Sequence, residues 1–568
     1  MDRKSQLLVY GRDERPSNAR LALLGLQHLV LVLMLIVYPV MAAHGLGLGG
    51  ARQVQFLTIA ILVVGLGTIL QSLPAPWGSG HLHVHQPSPI FLPLVIQTQA
   101  FGGMAALAPL LVLGGLGQIA VARVLRFLRR AFPPEVMGIV VVLLGISLVP
   151  GALDRCFDDA FRAGRMEAPL VASATLATIV GISVYSRGVL RLFSMLIGAV
   201  VGVSLAGALG MFGAEDLRQL AAAPYFALPA LTLQPWVIEW QLVPLAALVV
   251  CIHTLDALGA HVSAQKLADA DWQRADMRTA GRAIRAVGSG NVLAGLLGGY
   301  PAGLSSASIG LAFTTGAVAW RIGLAAGLLA VACAFVPKVP VFLSILPEPV
   351  VAAIVFNAAA FMIASGMELI FSRLMNTRRI FMVGLATIVG LAGMLRPDLA
   401  LALPLWMRPV VASPLFLGAT VAIALNLLFR IGIAQHERVI LRRGEPLPAR
   451  LRDLFERKGL DWGLRRTLVE HAQLGTMQAL EALFESDLLQ APHEVALLLR
   501  YDDLHIDVVL EYRGGPLPIG APRPTPDELL EDDAALARMT AHIVARLADA
   551  CRARTVGDLQ RLELRFDS

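Results

Sequence analysis

Long apolar runs alternate with short polar connections between Leu21 and Gly432. Most of these runs are about 20 residues long, which is the length that an α-helix needs to cross a bilayer. The pattern predicts an all-α polytopic membrane protein with fourteen transmembrane segments in residues 21–432. Two segments are interrupted by glycine and proline: the third, which begins in the polar stretch 78–91, and the tenth, residues 298–320.

The tenth segment carries Gly298, Gly299, Pro301 and Gly303 where a membrane helix should be continuous. Broken backbone at membrane depth is tolerated only where it is buried in protein or lines a cavity. The third segment is the third of the first seven segments, and the tenth is the third of the last seven. Interrupted spans at corresponding positions indicate two inverted repeats of seven segments, with a binding site between them.

Positively charged residues concentrate in connections that follow even-numbered segments. Arg187 and Arg191 follow segment 6, and Arg378 and Arg379 follow segment 12. Cytoplasmic loops of membrane proteins carry such an excess of lysine and arginine. We therefore expect a multi-pass protein of the cytoplasmic (inner) membrane with both termini in the cytoplasm, residues 1–20 forming an N-terminal tail.

Composition agrees with this picture. The chain is 56% hydrophobic and 15% charged, with a mean hydropathy of +0.67, whereas an ordinary soluble domain is about 25% charged. The net charge of +6 is explained by loop arginines, so the lipid bilayer is an expected partner and nucleic acid is not. The four cysteines form no CxxC pair, so the sequence indicates neither a disulfide framework nor a zinc site.

The sequence becomes more polar after Gly432. Residues 433–459 are predicted to be a basic connector, and residues 460–568 a small soluble α/β domain in the cytoplasm. Its expected elements are a helix over 464–488, strands over 494–501 and 505–512, a helix over 527–550 and a strand over 559–566. Their order weakly resembles the histidine-kinase-type ATPase fold. The first helix lacks the magnesium-binding Asn of that fold, which favours a regulatory or assembly role.

Asp256 is an ionisable residue inside an otherwise apolar helix. An acid at membrane depth is costly and is by default a functional hypothesis. Asp256 is expected to bind substrate, to accept a coupled proton, or both; the alternative is a structural hydrogen bond. His253, one turn earlier, is a second proton-coupling candidate or a satisfied core histidine. His81, His83 and His85 alternate as on one face of a strand and could bind a metal or line the vestibule; with no cysteine or acid nearby, a metal site is not favoured.

Several stretches together resemble the nucleobase–ascorbate transporter family, the xanthine/uracil permeases. They are GLQH, GTILQS, RRAFPPEVMG, LAGLLGGYP, FVPK, ILPEPVVAA, FMIASGMELI and ALNLLF. The resemblance covers residues 20–432 and implies a substrate-carrying core of segments 1–4 and 8–11. It also implies a gate of segments 5–7 and 12–14, a homodimer formed through the gate, and short strands in segments 3 and 10. We expect the strand of segment 10, near 300–306, to lie beside that of segment 3.

The first part of the implied binding site lies in segment 8. The family carries a glutamate there in a pattern like E-x-I-G, and the matching residues are Asp256, Leu258 and Gly259. The carboxylate is therefore kept but is one methylene shorter. Phe91 falls near the position where the family stacks an aromatic ring on the base; it is otherwise plain core. His28 matches the Gln-His pair of the family and is expected to be structural.

The second part lies in segment 10, where the family pattern is roughly acidic-or-Gln, Asn, x, Gly and, after four residues, Thr. The matching positions are Ala307, Ser308, Gly310 and Thr315. The glycine and threonine frame is kept, but the acidic or amide group and the Asn are absent. Ser305, Ser306 and Ser308 offer hydrogen bonds to carbonyl oxygens or an anion, or are small residues that permit close packing.

The function favoured by these features is secondary active import of a nucleobase such as xanthine, urate or uracil, with a proton or sodium as coupling ion and no cofactor. One alternative is an anion carrier or channel of sulfate-permease-like architecture, which the missing carboxylate at Ala307 favours. Another is a transporter-like sensor that reports to the soluble domain. No nucleophile–base set appears in the membrane part, so an enzyme is not predicted.

Overall fold

A computed structural model describes residues 8–567 except 124–132, 158–160, 162–163, 188, 232–234, 271–274, 397, 405–406, 412, 430–435, 465, 486–487, 492, 502–504, 521, 523 and 525–532. The chain divides into two compact units. The larger unit holds Met1–Phe132, Ile139–Gly366 and Ala386–Val421. The smaller unit holds Pro133–Gly138, Met367–Leu385 and Ala422–Ser568.

Helices dominate the chain before residue 430. In order they are α1 (Asn18–Met34), α2 (Val37–Gly45), α3 (Gly50–Ser72), α4 (Leu92–Gln97), α5 (Met104–Val121), α6 (Pro134–Cys156), α7 (Glu167–Tyr185), α8 (Val189–Leu192), α9 (Ser194–Ala208), α10 (Ala214–Ala222), α11 (Val243–Ala268), α12 (Met277–Leu297), α13 (Ser306–Thr315), α14 (Trp320–Ala334), α15 (Lys338–Ser344), α16 (Glu348–Ile370), α17 (Thr377–Leu395), α18 (Asp398–Leu401), α19 (Arg408–Val411) and α20 (Pro414–Phe429).

Within the described residues, eight helical spans are long and apolar enough to cross a membrane, and a ninth arises if the bent pair α14 and α15 counts as one. Three shorter apolar helices cover Pro89–Phe101, Ser194–Ala208 and Pro414–Phe429. These findings confirm a mostly helical polytopic membrane fold. The count of fourteen segments and the inverted repeat remain predictions.

Glycines let helices of the larger unit pack backbone to backbone. An added Cβ at Gly65 of α3 would lie 2.8 Å from the backbone nitrogen of Val331 in α14. At Gly115 of α5 it would lie 2.5 Å from the carbonyl oxygen of Gly288 in α12. Membrane helices associate through such close approaches, because apolar side chains gain little by leaving lipid. The pairs α3–α14 and α5–α12 are therefore tight.

The two interrupted segments meet in a short antiparallel sheet. β1 (His85–Pro87) pairs with β2 (Ala302–Leu304), with His85 opposite Leu304 and Pro87 opposite Ala302. α12 ends at Gly298, whose φ of +70° is a left-handed conformation that glycine adopts at little cost. The expectation that the strand of segment 10 lies beside that of segment 3 is confirmed.

The C-terminal part of the smaller unit is a sheet covered by helices. Its five antiparallel strands are β3 (His436–Arg442), β4 (Glu494–Tyr501), β5 (His505–Tyr512), β6 (Ala550–Val556) and β7 (Leu559–Asp567), in the order β3-β4-β5-β7-β6. The helices are α21 (Leu447–Trp462), α22 (Arg466–Glu485) and α23 (Asp533–Leu547). Buried side chains of strands and helices, including Leu480, Leu497 and Leu564, share one hydrophobic core.

Two strands lie where the sequence predicts none. β3 lies within 433–459 and α21 begins there, so the predicted connector is corrected: residues 436–459 belong to the folded domain. β6 begins at Ala550, where the predicted helix over 527–550 should end. β3 and β6 are the two edges of the sheet, and most of their side chains are exposed. Charged edges protect a sheet from pairing with other chains, and they also weaken the apolar alternation that identifies a strand.

The loop between α16 and α17 also belongs to the smaller unit. Leu374 packs against the hydrophobic core of the C-terminal domain, and its N–H donates to the carbonyl oxygen of Leu464 at 3.0 Å. Asn376 Nδ2 donates to the carbonyl oxygens of Leu460 and Asp461 at 3.0 and 3.2 Å. The end of α21 therefore accepts hydrogen bonds from a loop that the sequence assigned to the membrane part.

Candidate functional site

The larger unit contains a cavity of about 820 Å³. Small-molecule sites have volumes of about 300–1,000 Å³, so this cavity has room for a small ligand. Helices α1, α6, α9, α11, α13 and α16 and strand β2 contribute to its wall. The wall is mainly apolar, with polar groups that include Gln27, Asp256, Ser306 and Asn357.

Asp256 lies near the middle of α11 and lines this cavity. Among the described lining residues it is the one carboxylate. An ionised carboxylate can only accept hydrogen bonds, whereas a protonated carboxyl group can also donate one. The position of Asp256 therefore suits both roles that the sequence suggests, binding of N–H groups and uptake of a proton.

The N-terminus of α13 forms the part of the wall that follows β2. Ser306, Ala307 and Gly310 line the cavity. Ser305 caps the helix, because its hydroxyl accepts the N–H of Ser308 at 3.1 Å. The first turn of a helix carries partial positive charge and unsatisfied N–H groups. No carboxylate stands at Ala307 to offset this charge.

Ser308 and His28 contact each other away from the cavity lining. Ser308 Oγ lies 2.6 Å from His28 Nδ1, and both side chains are buried. This hydrogen bond joins α13 to α1, which fits a structural role for His28. The hydroxyl of Thr315 donates to the carbonyl oxygen of Leu311 within α13, which also fits a structural role.

His253 is fully buried and is not among the cavity-lining residues. Its Nδ1 lies 2.8 Å from Gln118 Nε2, and Gln118 Oε1 accepts from Asn291 Nδ2 at 2.9 Å. Asn291 Oδ1 in turn accepts the N–H of Ala302 at 2.9 Å. Since a backbone N–H can only donate, it fixes the orientation of both amides, and His253 Nδ1 must accept. The proton of neutral His253 is therefore on Nε2.

Phe91 also lies outside the cavity lining. It is 2% exposed, and its ring meets the His253 ring edge-on with centroids 4.9 Å apart. This contact supports the interpretation of Phe91 as core. At Gly259 of α11, no heavy atom lies within 4 Å of the position that an added Cβ would take.

Several polar residues of the site were not found from the sequence. Gln118 is the single amide side chain of α5, and Asn291 is the single amide side chain of α12. Their isolation is the sequence signal that could have indicated them. Asn357 is a similar case in α16. Arg187 and Arg191 also line the cavity, although their place in the sequence indicated only the topology of the chain.

His81 and His83 lie together against His261 of α11. The ring centroid of His261 is 5.1 Å from that of His81 and 5.0 Å from that of His83. In the part of the chain that the structure describes, no group of three or more His, Cys, Asp or Glu side chains is arranged to hold a metal ion. The histidines are instead hydrogen-bonded to each other and to neighbouring residues.

The family model Xan_ur_permease, described as a permease family, matches residues 19–399. The chain therefore belongs to this family, whose members are permeases and not enzymes. Xanthine permease XanP of Escherichia coli (strain K12) is 26% identical over 451 residues, covering 74% of this chain and 94% of that protein. Putative purine permease CPE0397 of Clostridium perfringens is 25% identical over 427 residues, with coverages of 74% and 93%. Uric acid permease PucK of Bacillus subtilis is 23% identical over 427 residues, with coverages of 73% and 97%.

Proposed function

We propose that this protein is a secondary active transporter that imports a nucleobase of the xanthine, urate or uracil type across the cytoplasmic membrane, coupled to protons. The observation that carries the proposal is Asp256, the carboxylate that lines the cavity of a chain belonging to the permease family. The names of its relatives, a xanthine, a purine and a uric acid permease, support this substrate class. They do not favour the anion-carrier alternative.

The cavity offers partners for each edge of a planar base. Asp256 accepts N–H groups, while Ser306 and the first turn of α13 donate to carbonyl oxygens. Gln27 and Asn357 can donate or accept, and the apolar wall covers the ring faces. We propose that Asp256 also carries the coupled proton, and that His253 acts next to it.

We also propose that the membrane part consists of two inverted repeats, that both termini are cytoplasmic and that the protein is a homodimer. The pairing of β1 with β2 supports two repeats of seven segments whose interrupted members meet at the site. The loop arginines support cytoplasmic termini. The homodimer through the gate segments follows from the family resemblance.

The test is uptake of radiolabelled xanthine, uracil and urate in a bacterial strain that lacks its own purine and pyrimidine permeases. Asp256→Asn is expected to abolish concentrative uptake while the protein still inserts. Asp256→Glu, which restores the usual residue of the family, is the mildest change. Asp398→Asn is the matched control, because this exposed carboxylate pairs with Arg396 away from the cavity. Wild-type accumulation by Asp256→Asn would refute the role of Asp256, and absence of uptake by the wild type would refute the proposed substrates.

A further inference from the structure

Two arginines line the cavity together with Asp256. Arg187 and Arg191 both belong to the short connection between α7 and α9. Among the described lining residues, the charged side chains are these two arginines and Asp256. The wall therefore carries more positive than negative charge, and the difference grows when Asp256 is protonated.

The connection that carries the arginines is held on both sides by α7 and α9. The two helices pack closely, since an added Cβ at Gly198 of α9 would collide with the side chain of Ile179 in α7. Nearer the connection, Ser183 Oγ donates to Ser194 Oγ at 2.9 Å, and both serines line the cavity. The arginines are therefore presented to the cavity by an anchored turn.

Arg191 lies on α8, which packs against α13. One face of α13 lines the cavity along the whole helix, because its lining residues recur at a spacing of three or four. These residues are Ser306, Ala307, Gly310 and Thr314. None of them is acidic, and the first turn of α13 itself carries partial positive charge. Arg191 and α13 therefore present positive charge to the same part of the cavity.

Neither arginine is neutralised within the part of the chain that the structure describes. Both side chains are exposed, and neither makes an ion pair or a hydrogen bond with a described residue. By contrast, Arg155 pairs with Glu348, and Arg396 with Asp398. A guanidinium offers five N–H donors in a planar fork that suits a flat, delocalised anion. Two such groups without a partner at a small-molecule cavity favour a negatively charged ligand.

We propose that Arg187 and Arg191 make the cavity selective for an anionic base, an inference that rests on the proposed nucleobase transport. A purine that has lost a ring proton, as urate has at neutral pH, spreads its charge over ring nitrogens and carbonyl oxygens, and a guanidinium can donate to both. Uracil is neutral under the same conditions and gains no attraction between charges. Protonation of Asp256 removes the negative charge that opposes the anion, so binding of the anion and of the proton should favour each other.

The experiment measures how well unlabelled urate and uracil displace radiolabelled xanthine from the purified full chain in detergent micelles. We expect the wild type to bind urate more tightly than uracil. Arg187→Gln and Arg191→Gln should each weaken urate binding about fivefold, as for the loss of one solvent-exposed charge, and the double variant roughly tenfold or more. Uracil binding should change by less than about twofold. Added salt should likewise weaken binding of urate but not of uracil to the wild type.

Two controls separate the charge of the arginines from their place in the fold. The double variant Arg187→Lys/Arg191→Lys keeps both charges, so it should keep the preference for urate. Arg278→Gln removes an exposed arginine at the start of α12 that does not line the cavity, and it should leave both affinities unchanged.

Equal weakening of urate and uracil binding in the double Gln variant would overturn the inference, because the arginines would then act on the shape of the cavity and not on the charge of the ligand. Unchanged urate binding in that variant, or a wild type that prefers uracil, would overturn it too. The last two results leave the proposed nucleobase transport intact. A wild type that binds none of xanthine, urate and uracil would refute the proposed substrates, and this inference with them.

Discussion

Arg379 holds a buried carboxylate in the smaller unit, and replacing it with methionine should be strongly destabilising. Glu135, the acid of FPPEVMG, has a side chain that is 1% exposed. Its Oε1 lies 3.0 Å from Arg379 Nε and 4.0 Å from Arg373 Nη1. Arg379 also donates to the carbonyl oxygens of Trp462 and Gly463 at the end of α21. Methionine keeps much of the length of the side chain but removes its charge and all its donors.

The expected cost follows from these contacts. Removing one partner of a buried ion pair costs about 3–5 kcal/mol, because the other charge is left uncompensated. Arg373 remains nearby and Arg379 is 15% exposed, so the lower end, about 3 kcal/mol, applies to the pair. Loss of the carbonyl hydrogen bonds adds about 1–2 kcal/mol. Arg379→Met should therefore lower the free energy of unfolding by about 4–5 kcal/mol.

The assay is denaturant unfolding of the purified protein in mixed micelles, run as a double-mutant cycle with Glu135→Gln. The double variant removes both charges, so it should recover about 2–3 kcal/mol relative to the sum of the single changes. Arg378→Met is the matched control: this exposed neighbour donates to the carbonyl oxygen of Phe429, and its loss should cost about 1 kcal/mol or less. A cost below about 1 kcal/mol for Arg379→Met, with additive single changes, would refute the reasoning.

Three further predictions follow from other parts of the chain. Gly303→Ala places a Cβ 2.3 Å from His253 Nε2 and should cost about 1–3 kcal/mol in thermal unfolding; Gly384→Ala, with nothing within 4 Å of its Cβ, is the control, and equal stability of the two would contradict the close contact. Ending the chain after Gly432, which removes the C-terminal domain together with β3, should leave a protein that inserts and keeps its substrate preference in competition assays but transports at a changed rate; failure to insert would show that the membrane part depends on the domain. Ala307→Glu places a carboxylate at the N-terminus of α13, so competition should shift from urate and xanthine towards uracil, and an unchanged order would exclude the helix dipole as the selecting element.

The pairing of β1 with β2 could be predicted because the sequence signals for it are local. Gly298, Gly299 and Pro301 cannot continue a helix, and backbone groups without a helix need another partner inside a membrane. The carboxylate of Asp256 could be found for the same kind of reason, since one acid in an apolar helix stands out. Both predictions rest on a free-energy cost that is visible within one segment: unpaired backbone groups in segment 10 and an acid inside the membrane in segment 8.

The hydrogen bonds that join His253 to Gln118 and Gln118 to Asn291 could not be predicted, because Gln118 is far from the other two residues in the sequence. Gln118, His253 and Asn291 come from three different helices, and each alone could equally be a single buried polar residue. The edge strands β3 and β6 were missed for another reason. Most of their side chains are exposed, so the burial that gives a strand its apolar alternation is absent.

Gly303 connects the cavity to the buried side chain of His253. On one side it lines the cavity with Asp256, and on the other it lies against His253 Nε2. Asn291 holds β2 in position by accepting the N–H of Ala302. Asn291 is also hydrogen-bonded to Gln118, which is hydrogen-bonded to His253. A displacement of β2 by a ligand in the cavity must therefore change the surroundings of His253. Likewise, a change in the protonation of His253 must act on β2, because binding and protonation are linked whenever they share one structural element.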